Sequence, residues 1–218
     1  MAPRIFLLHA YRFSMGPIEE AFRRDWPEAE AVRLLDESLY ADVAADGAMP
    51  ADIGVRLTSL FRHCQLSGAK AMVFTGSTFG PAVEEARAGF AMPILKADEA
   101  MAEAAVAKGR RILILATAQR ALPVLRRSIE AAAVTAGVDR EISTAWVEGA
   151  KAANDGGRID EHDRLVARAA EDADGFDVVV LGQMSMAPAV GRMSAAAAAK
   201  AVTSPCAAVA RLKRLLAV

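Results

Sequence analysis

The stretch Val73-Phe-Thr-Gly-Ser-Thr-Phe-Gly-Pro81 decides the fold. Apolar, β-prone residues run into a Gly-Ser-Thr turn. Gly80-Pro81 then opens a helix, because proline fits a first helical turn whose N–H has no partner anyway. The motif returns 107 residues later. Val180-Leu-Gly182 leads to Pro188-Ala-Val as Val73-Phe-Thr75 leads to Pro81-Ala-Val. The same offset relates Arg4-Ile-Phe-Leu-Leu to Arg111-Ile-Leu-Ile-Leu. Matches at one offset, each at a strand–helix junction, read as a duplication: two similar α/β lobes.

The rest of the chain alternates in the same way. Short, continuous apolar runs at residues 5–9, 31–35, 71–75, 112–116, 142–147 and 178–181 read as parallel strands covered on both faces. Shorter strands are expected at 93–95 and 201–203. Helices are expected at 17–24, 51–67, 80–89, 98–108, 119–136, 159–173 and 205–216, with Gly109 and Gly137 as C-terminal stops. Residues 153–157, Ala-Asn-Asp-Gly-Gly, read as a loop, and the alanine run from Ala195 to Ala199 as a helix or loop. The fold class is therefore α/β, with two pseudo-symmetric parallel-sheet lobes in Rossmann-like three-layer αβα form. Lobe 1 is expected to hold residues 1–96 and the helix region of about 205–218, and lobe 2 residues 97–204.

Composition narrows the partners. A chain of 218 residues that is 54% hydrophobic and 24% charged has the make-up of a protein that buries a full core. A net charge of −1, without a basic patch interleaved with aromatics, excludes an ordinary nucleic-acid binder. No apolar run reaches membrane-spanning length, and the apolar start of the chain reads as a strand rather than a signal peptide, so a cytoplasmic location is the expectation. The two cysteines and three histidines show no metal-ligand spacing, and no metal is expected. Cys64 falls on the apolar face of a helix and reads as core, and Cys206 follows Ser-Pro at a helix start.

In open parallel sheets, ligands bind outside the carboxyl ends of the strands. That rule selects His9, Tyr11 and Ser14 after the first strand, Asp36 and Ser38 after the second, and Gly76, Ser77 and Thr78 after the third. The second lobe offers Thr117, Glu148, Gln183 and Ser185. The Gly-Ser-Thr turn suits a small carboxylate: glycine admits close approach, the hydroxyls donate, and the helix start presents unpaired N–H groups. The same residues also suit an ordinary helix cap. His9 is either a packing residue or an acid/base group. Asp36 and Glu148, in comparable places of the two lobes, are either loop caps or acid/base groups. A phosphate loop, a GxGxxG fingerprint and a Gly-x-Ser-x-Gly elbow are all absent.

These pieces resemble the aspartate/glutamate/hydantoin racemase superfamily. The resemblance runs along nearly the whole chain, through RIFLLHA, LLDESL, MVFTGSTFGPAVE, VEGA, VVVLGQMSMAPAV and VTSPCAAVARL in that order. It implies a cofactor-independent isomerase scaffold with the site between the lobes. There, one cysteine thiolate removes an α-proton and a second thiol returns one to the opposite face. Arylmalonate decarboxylase and maleate isomerase are relatives, and family members are often oligomeric, so a homo-oligomer is an expectation of the same kind. The sequence departs at both thiol positions: Gly76 stands at the first and Gln183 at the second. Neither side chain is a proton-transfer base. Ser14, Asp36, Ser77, Thr78, Thr117, Glu148 and Ser185 are the expected substrate-binding residues, with Ser77, Thr78 and Ser185 keeping the character of carboxylate holders. Three functions follow: a carbanion enzyme in which His9, Asp36 or Glu148 replaces the thiols, a decarboxylase or isomerase of another mechanism, and a carboxylate binder without turnover.

Overall fold

The computed structural model describes residues 2–43 and 48–217. Residues 1, 44–47 and 218 of the expected first lobe lie outside them. Two compact units form, Met1–Ala97 with Ala208–Val218, and Asp98–Ala207.

In the first unit the order is β1 (Arg4–His9), α1 (Met15–Asp25), β2 (Glu30–Leu35), α2 (Ser38–Ala41), α3 (Ile53–Leu66), β3 (Ala71–Phe74), α4 (Gly80–Arg87) and β4 (Ile94–Lys96). The second unit follows with α5 (Ala97–Lys108), β5 (Arg111–Ala116), α6 (Leu122–Ala136), β6 (Glu141–Trp146), α7 (Ala150–Asp155), α8 (Ile159–Glu171), β7 (Val178–Leu181), α9 (Ala195–Lys200) and β8 (Ala201–Thr203). Finally α10 (Ser204–Leu215) carries the chain from the second unit back into the first. Each unit is a four-stranded parallel sheet, ordered β2-β1-β3-β4 and β6-β5-β7-β8.

The duplication holds pair by pair. Ile5 faces Ala71 as Ile112 faces Val178, and Met72 faces Ile94 as Val179 faces Ala201, all at the offset of 107. The loops repeat too. Thr75 N–H donates to Leu8 C=O as Gly182 N–H does to Leu115 C=O, and Phe79 N–H to Gly76 C=O as Met186 N–H to Gln183 C=O. The second strand breaks the offset: Arg4 pairs with Glu30 but Arg111 with Glu141, four residues further on. Asp36 N–H donates to His9 C=O while Val147 N–H donates to Ala116 C=O. The partner of Asp36 is therefore Val147, and Glu148 corresponds to Glu37. This corrects the sequence-based pairing of Asp36 with Glu148.

Central strands are buried on both faces, as continuous apolar runs require. In the second unit Ile112, Ile114, Val178 and Val180 pack with Leu125 and Ile129 of α6, while Leu113, Leu115, Val179 and Leu181 pack with Val166 and Ala170 of α8. In the first unit Phe6, Leu8, Met72 and Phe74 pack with Leu57, Phe61, Phe79 and Val83. Burial at roughly 25 cal/mol per Å² of apolar surface makes these layers the main source of stability. Strands β2 and β6 are sheet edges, and their side chains are exposed or half-buried.

Two local expectations change. Residues 153–157 are not all loop: α7 runs to Asp155, since Ala-Lys-Ala-Ala favours helix, and Gly156-Gly157 then ends it with Gly157 at φ 73°. Gly137 is a left-handed cap at φ 66°, as expected, but Gly109 is not. A Cβ on Gly109 would lie 2.7 Å from Asp177 Cβ, so close packing against the next strand requires that glycine. No described helix is long and apolar enough to cross a membrane.

Candidate functional site

In the first unit the carboxyl ends of β1 and β3 are fastened by a closed polar triangle. His9 Nδ1 lies 2.8 Å from Ser14 Oγ and 2.9 Å from Thr75 Oγ1, and the two hydroxyls lie 2.8 Å apart. Ser14 donates its only proton to Tyr11 C=O at 2.7 Å. Thr75 Oγ1 also reaches Leu8 C=O, at 3.4 Å. His9 Nε2 is buried and has no hydrogen-bond partner among the described residues. Burial, aided by the charge of Arg33, lowers the His9 pKa to about 4, so the ring is neutral at pH 7. His9 is fully buried. This geometry makes it a fastener of two strand ends rather than a group exposed to substrate. The equivalent positions in the second unit are Ala116, Ala121 and Gly182, an apolar version of the same junction.

The outer residues of the β3 turn differ. Ser77 and Thr78 are half-buried, and their hydroxyls have no hydrogen-bond partner among the described residues. They form the 3-10 turn Ser77–Phe79 that leads into α4; there Gly80 N–H donates back to Ser77 C=O, and Pro81 has no N–H. Gly76 precedes them. A Cβ there would lie 2.8 Å from Phe74 Cε1 and 2.9 Å from Phe79 Cδ2. Those rings meet edge to face at 5.6 Å between centroids. The aromatic pair fills the space into which a side chain at residue 76 would grow.

Asp36 is committed locally. Its Oδ1 accepts Ser38 N–H at 3.0 Å and Ser38 O–H at 2.5 Å, and Arg56 donates to the Ser38 hydroxyl at 2.6 Å. Asp36 is thus a loop cap. The neighbouring Glu37 receives a bidentate pair from Arg12 at 2.8 and 2.7 Å, which holds its carboxyl below the usual range.

In the second unit, Gln183 Oε1 accepts three donors: Thr117 N–H at 2.6 Å, Thr117 O–H at 2.9 Å and Ala118 N–H at 3.2 Å. Thr117 C=O accepts the Trp146 indole N–H at 3.1 Å, tying the end of β5 to the edge strand. Beside this loop lies a cavity of about 460 Å³ lined by residues that include Thr117, Arg120, Trp146 and Lys151. Lys151 pairs with Asp155 at 2.6 Å. No motif marks this cavity: its walls come from two strand ends and α7, and the four-residue shift of β6 obscures their pairing. Glu148 is exposed, and its carboxylate has no hydrogen-bond or ion-pair partner among the described residues; Ser185 is half-buried with a hydroxyl in the same state.

Neither cysteine joins these turns. Cys64 is buried on α3 among the first unit's apolar residues, with burial pushing its thiol up to about 11. Cys206 is exposed on α10. Among the described residues no cluster of three His, Cys, Asp or Glu could hold a metal.

The fold is similar to glutamate racemase from Bacillus anthracis, with a TM-score of 0.72 and 12% identity over 99% of this chain and 82% of the racemase. It is similar to allantoin racemase from Klebsiella pneumoniae, with a TM-score of 0.73 and 19% identity over 99% and 88% of the two chains. A sulfate-associated glycine-to-cysteine mutant of arylmalonate decarboxylase also matches, at a TM-score of 0.63 and 16% identity over 99% and 94%. No curated protein matches the sequence significantly. The family model for Asp/Glu/Hydantoin racemase matches residues 15–212. With that match spanning most of its length, on two duplicated parallel sheets, the chain belongs to the Asp/Glu/hydantoin racemase family.

Proposed function

We propose that the protein binds a small carboxylic acid, an amino acid or related acid, at the carboxyl ends of its strands and does not turn it over by a two-thiol mechanism. The observation that carries this reading is the division of labour around β3. Ser14 and Thr75 spend their hydroxyls within the buried triangle with His9 and on Tyr11 C=O, while Ser77 and Thr78 keep theirs unspent at a helix start. Hydroxyl donors without a protein acceptor suit a carboxylate. Proton transfer lacks its usual agents: residue 76 has no side chain, and the Gln183 amide is neutral and engaged.

A second reading, carbanion chemistry such as racemisation, isomerisation or decarboxylation, rests on Glu148. It is the exposed carboxylate at a strand end, whereas His9 is buried and Asp36 is tied to Ser38. A carboxylate in that state is free to act as a general base.

A thermal-shift panel of dicarboxylates, amino acids, hydantoins and arylmalonates tests the first reading, followed by proton NMR of each stabilising compound in deuterated water. Stabilisation without α-proton exchange or loss of carbon dioxide is expected. Rapid exchange or decarboxylation that disappears in Glu148→Gln would establish the second reading in its place.

A further inference from the structure

Gln183 stands where the duplication places the counterpart of Gly76, and it does something that glycine cannot. Its amide oxygen spans from the end of β7 to the end of β5 and collects two backbone N–H groups and one hydroxyl. Three donors on one oxygen form the kind of set that holds a carboxylate or oxyanion oxygen. The neutral amide fills it from within the chain. In the first unit the corresponding positions are Ala10, Tyr11 and Gly76, and residue 76 has no side chain to reach across.

Resting on the carboxylate-binding reading above, we infer that Gln183 is an intramolecular plug. Its Oε1 occupies the oxygen-binding set of Thr117 and Ala118, and so closes the second unit to a carboxylate that would otherwise use those donors. The plug competes with an effective concentration that a free ligand in dilute solution does not match. A carboxylate bears charge, so its hydrogen bonds to the same donors are stronger than those of the amide. Removing the amide therefore leaves partly buried donors unpaired, and a carboxylate that enters recovers them. The same loop walls the cavity of about 460 Å³, to which Arg120 and Lys151 contribute.

The test uses full-length protein, malonate as the probe, and two-dimensional amide NMR. In Gln183→Ala, malonate is expected to shift the Thr117 and Ala118 amide signals and to bind there about tenfold more tightly than in the unchanged protein. Gln183→Ser, whose side chain is too short to reach Thr117, should behave alike and replaces the alanine variant if that one does not fold. Gln183→Glu carries its own carboxylate and should stay closed, with Thr117 and Ala118 unresponsive. A purely structural tether predicts loss of stability in both shortened variants with no malonate response. Silence of Thr117 and Ala118 in a folded shortened variant overturns the plug, whatever Ser77 and Thr78 do. Loss of malonate response at Ser77 and Thr78 in the unchanged protein counts separately against the carboxylate site of the first unit.

Discussion

Gln183 Oε1 lies 2.6 Å from the Thr117 amide nitrogen and 2.9 Å from the Thr117 hydroxyl. At the duplicated position Gly76 has the rings of Phe74 and Phe79 closed over the space where a side chain would begin. The two junctions are homologous in backbone and opposite in chemistry: one is bridged by an amide, the other sealed by aromatic edges.

Gln183→Leu keeps the bulk but removes the acceptor. It should cost about 1–3 kcal/mol, because Thr117 and Ala118 N–H groups lose their partner. Gln183→Glu should cost less. Urea denaturation at pH 7 gives the order, and equal stability of the two variants would contradict the hydrogen-bond account.

Gly76→Cys should destabilise by about 1–3 kcal/mol through overpacking against the two rings. Combining it with Phe79→Leu should recover part of the loss, so that the pair shows a favourable coupling in a double-mutant cycle. Strict additivity would mean that the rings are not the obstacle.

His9 gives a pH signature. Its folded pKa, about 4, lies below the ordinary 6.5, so the unfolded chain binds the extra proton first. Stability from this group is present above about pH 6.5 and is lost as pH falls towards 4. Replacing His9 by Asn should lower stability at pH 7 and flatten the decline across that window. An unchanged slope in denaturation series from pH 7 to 4 would remove His9 as its source.

Ser77→Ala with Thr78→Val should leave stability within about 0.5 kcal/mol, since neither hydroxyl has a partner to lose. Ser14→Ala should cost more, about 1–3 kcal/mol, because it opens the buried triangle with His9 and Thr75. Thermal denaturation of the two variants side by side decides the contrast.

The doubled architecture was legible because strands β1, β3 and β4 repeat at one offset, down to single ladder pairs. The four residues inserted before β6 hid the true counterpart of Asp36, since an insertion in a loop leaves no mark on hydrophobic periodicity. The α7 helix was obscured by Gly156-Gly157, which signals a turn without showing that the alanines before it are helical. At the site, the strand-end rule placed His9, Ser77, Thr78, Thr117 and Gln183 at the right ends of their strands. It did not show that His9 is inward and neutral, or that Gln183 turns back on Thr117. Those properties arise from contacts 66 residues apart in sequence, such as His9 with Thr75 and Thr117 with Gln183.

The central claim is that Ser77 and Thr78 hold a small carboxylate without a protein partner in competition. Titrating malonate, succinate and aspartate into the isotopically labelled protein, while following the Ser77 and Thr78 amide signals, tests it most directly. The account predicts saturable shifts at both residues that vanish in the Ser77→Ala, Thr78→Val variant. Unmoved signals with all three acids in the folded protein would contradict it.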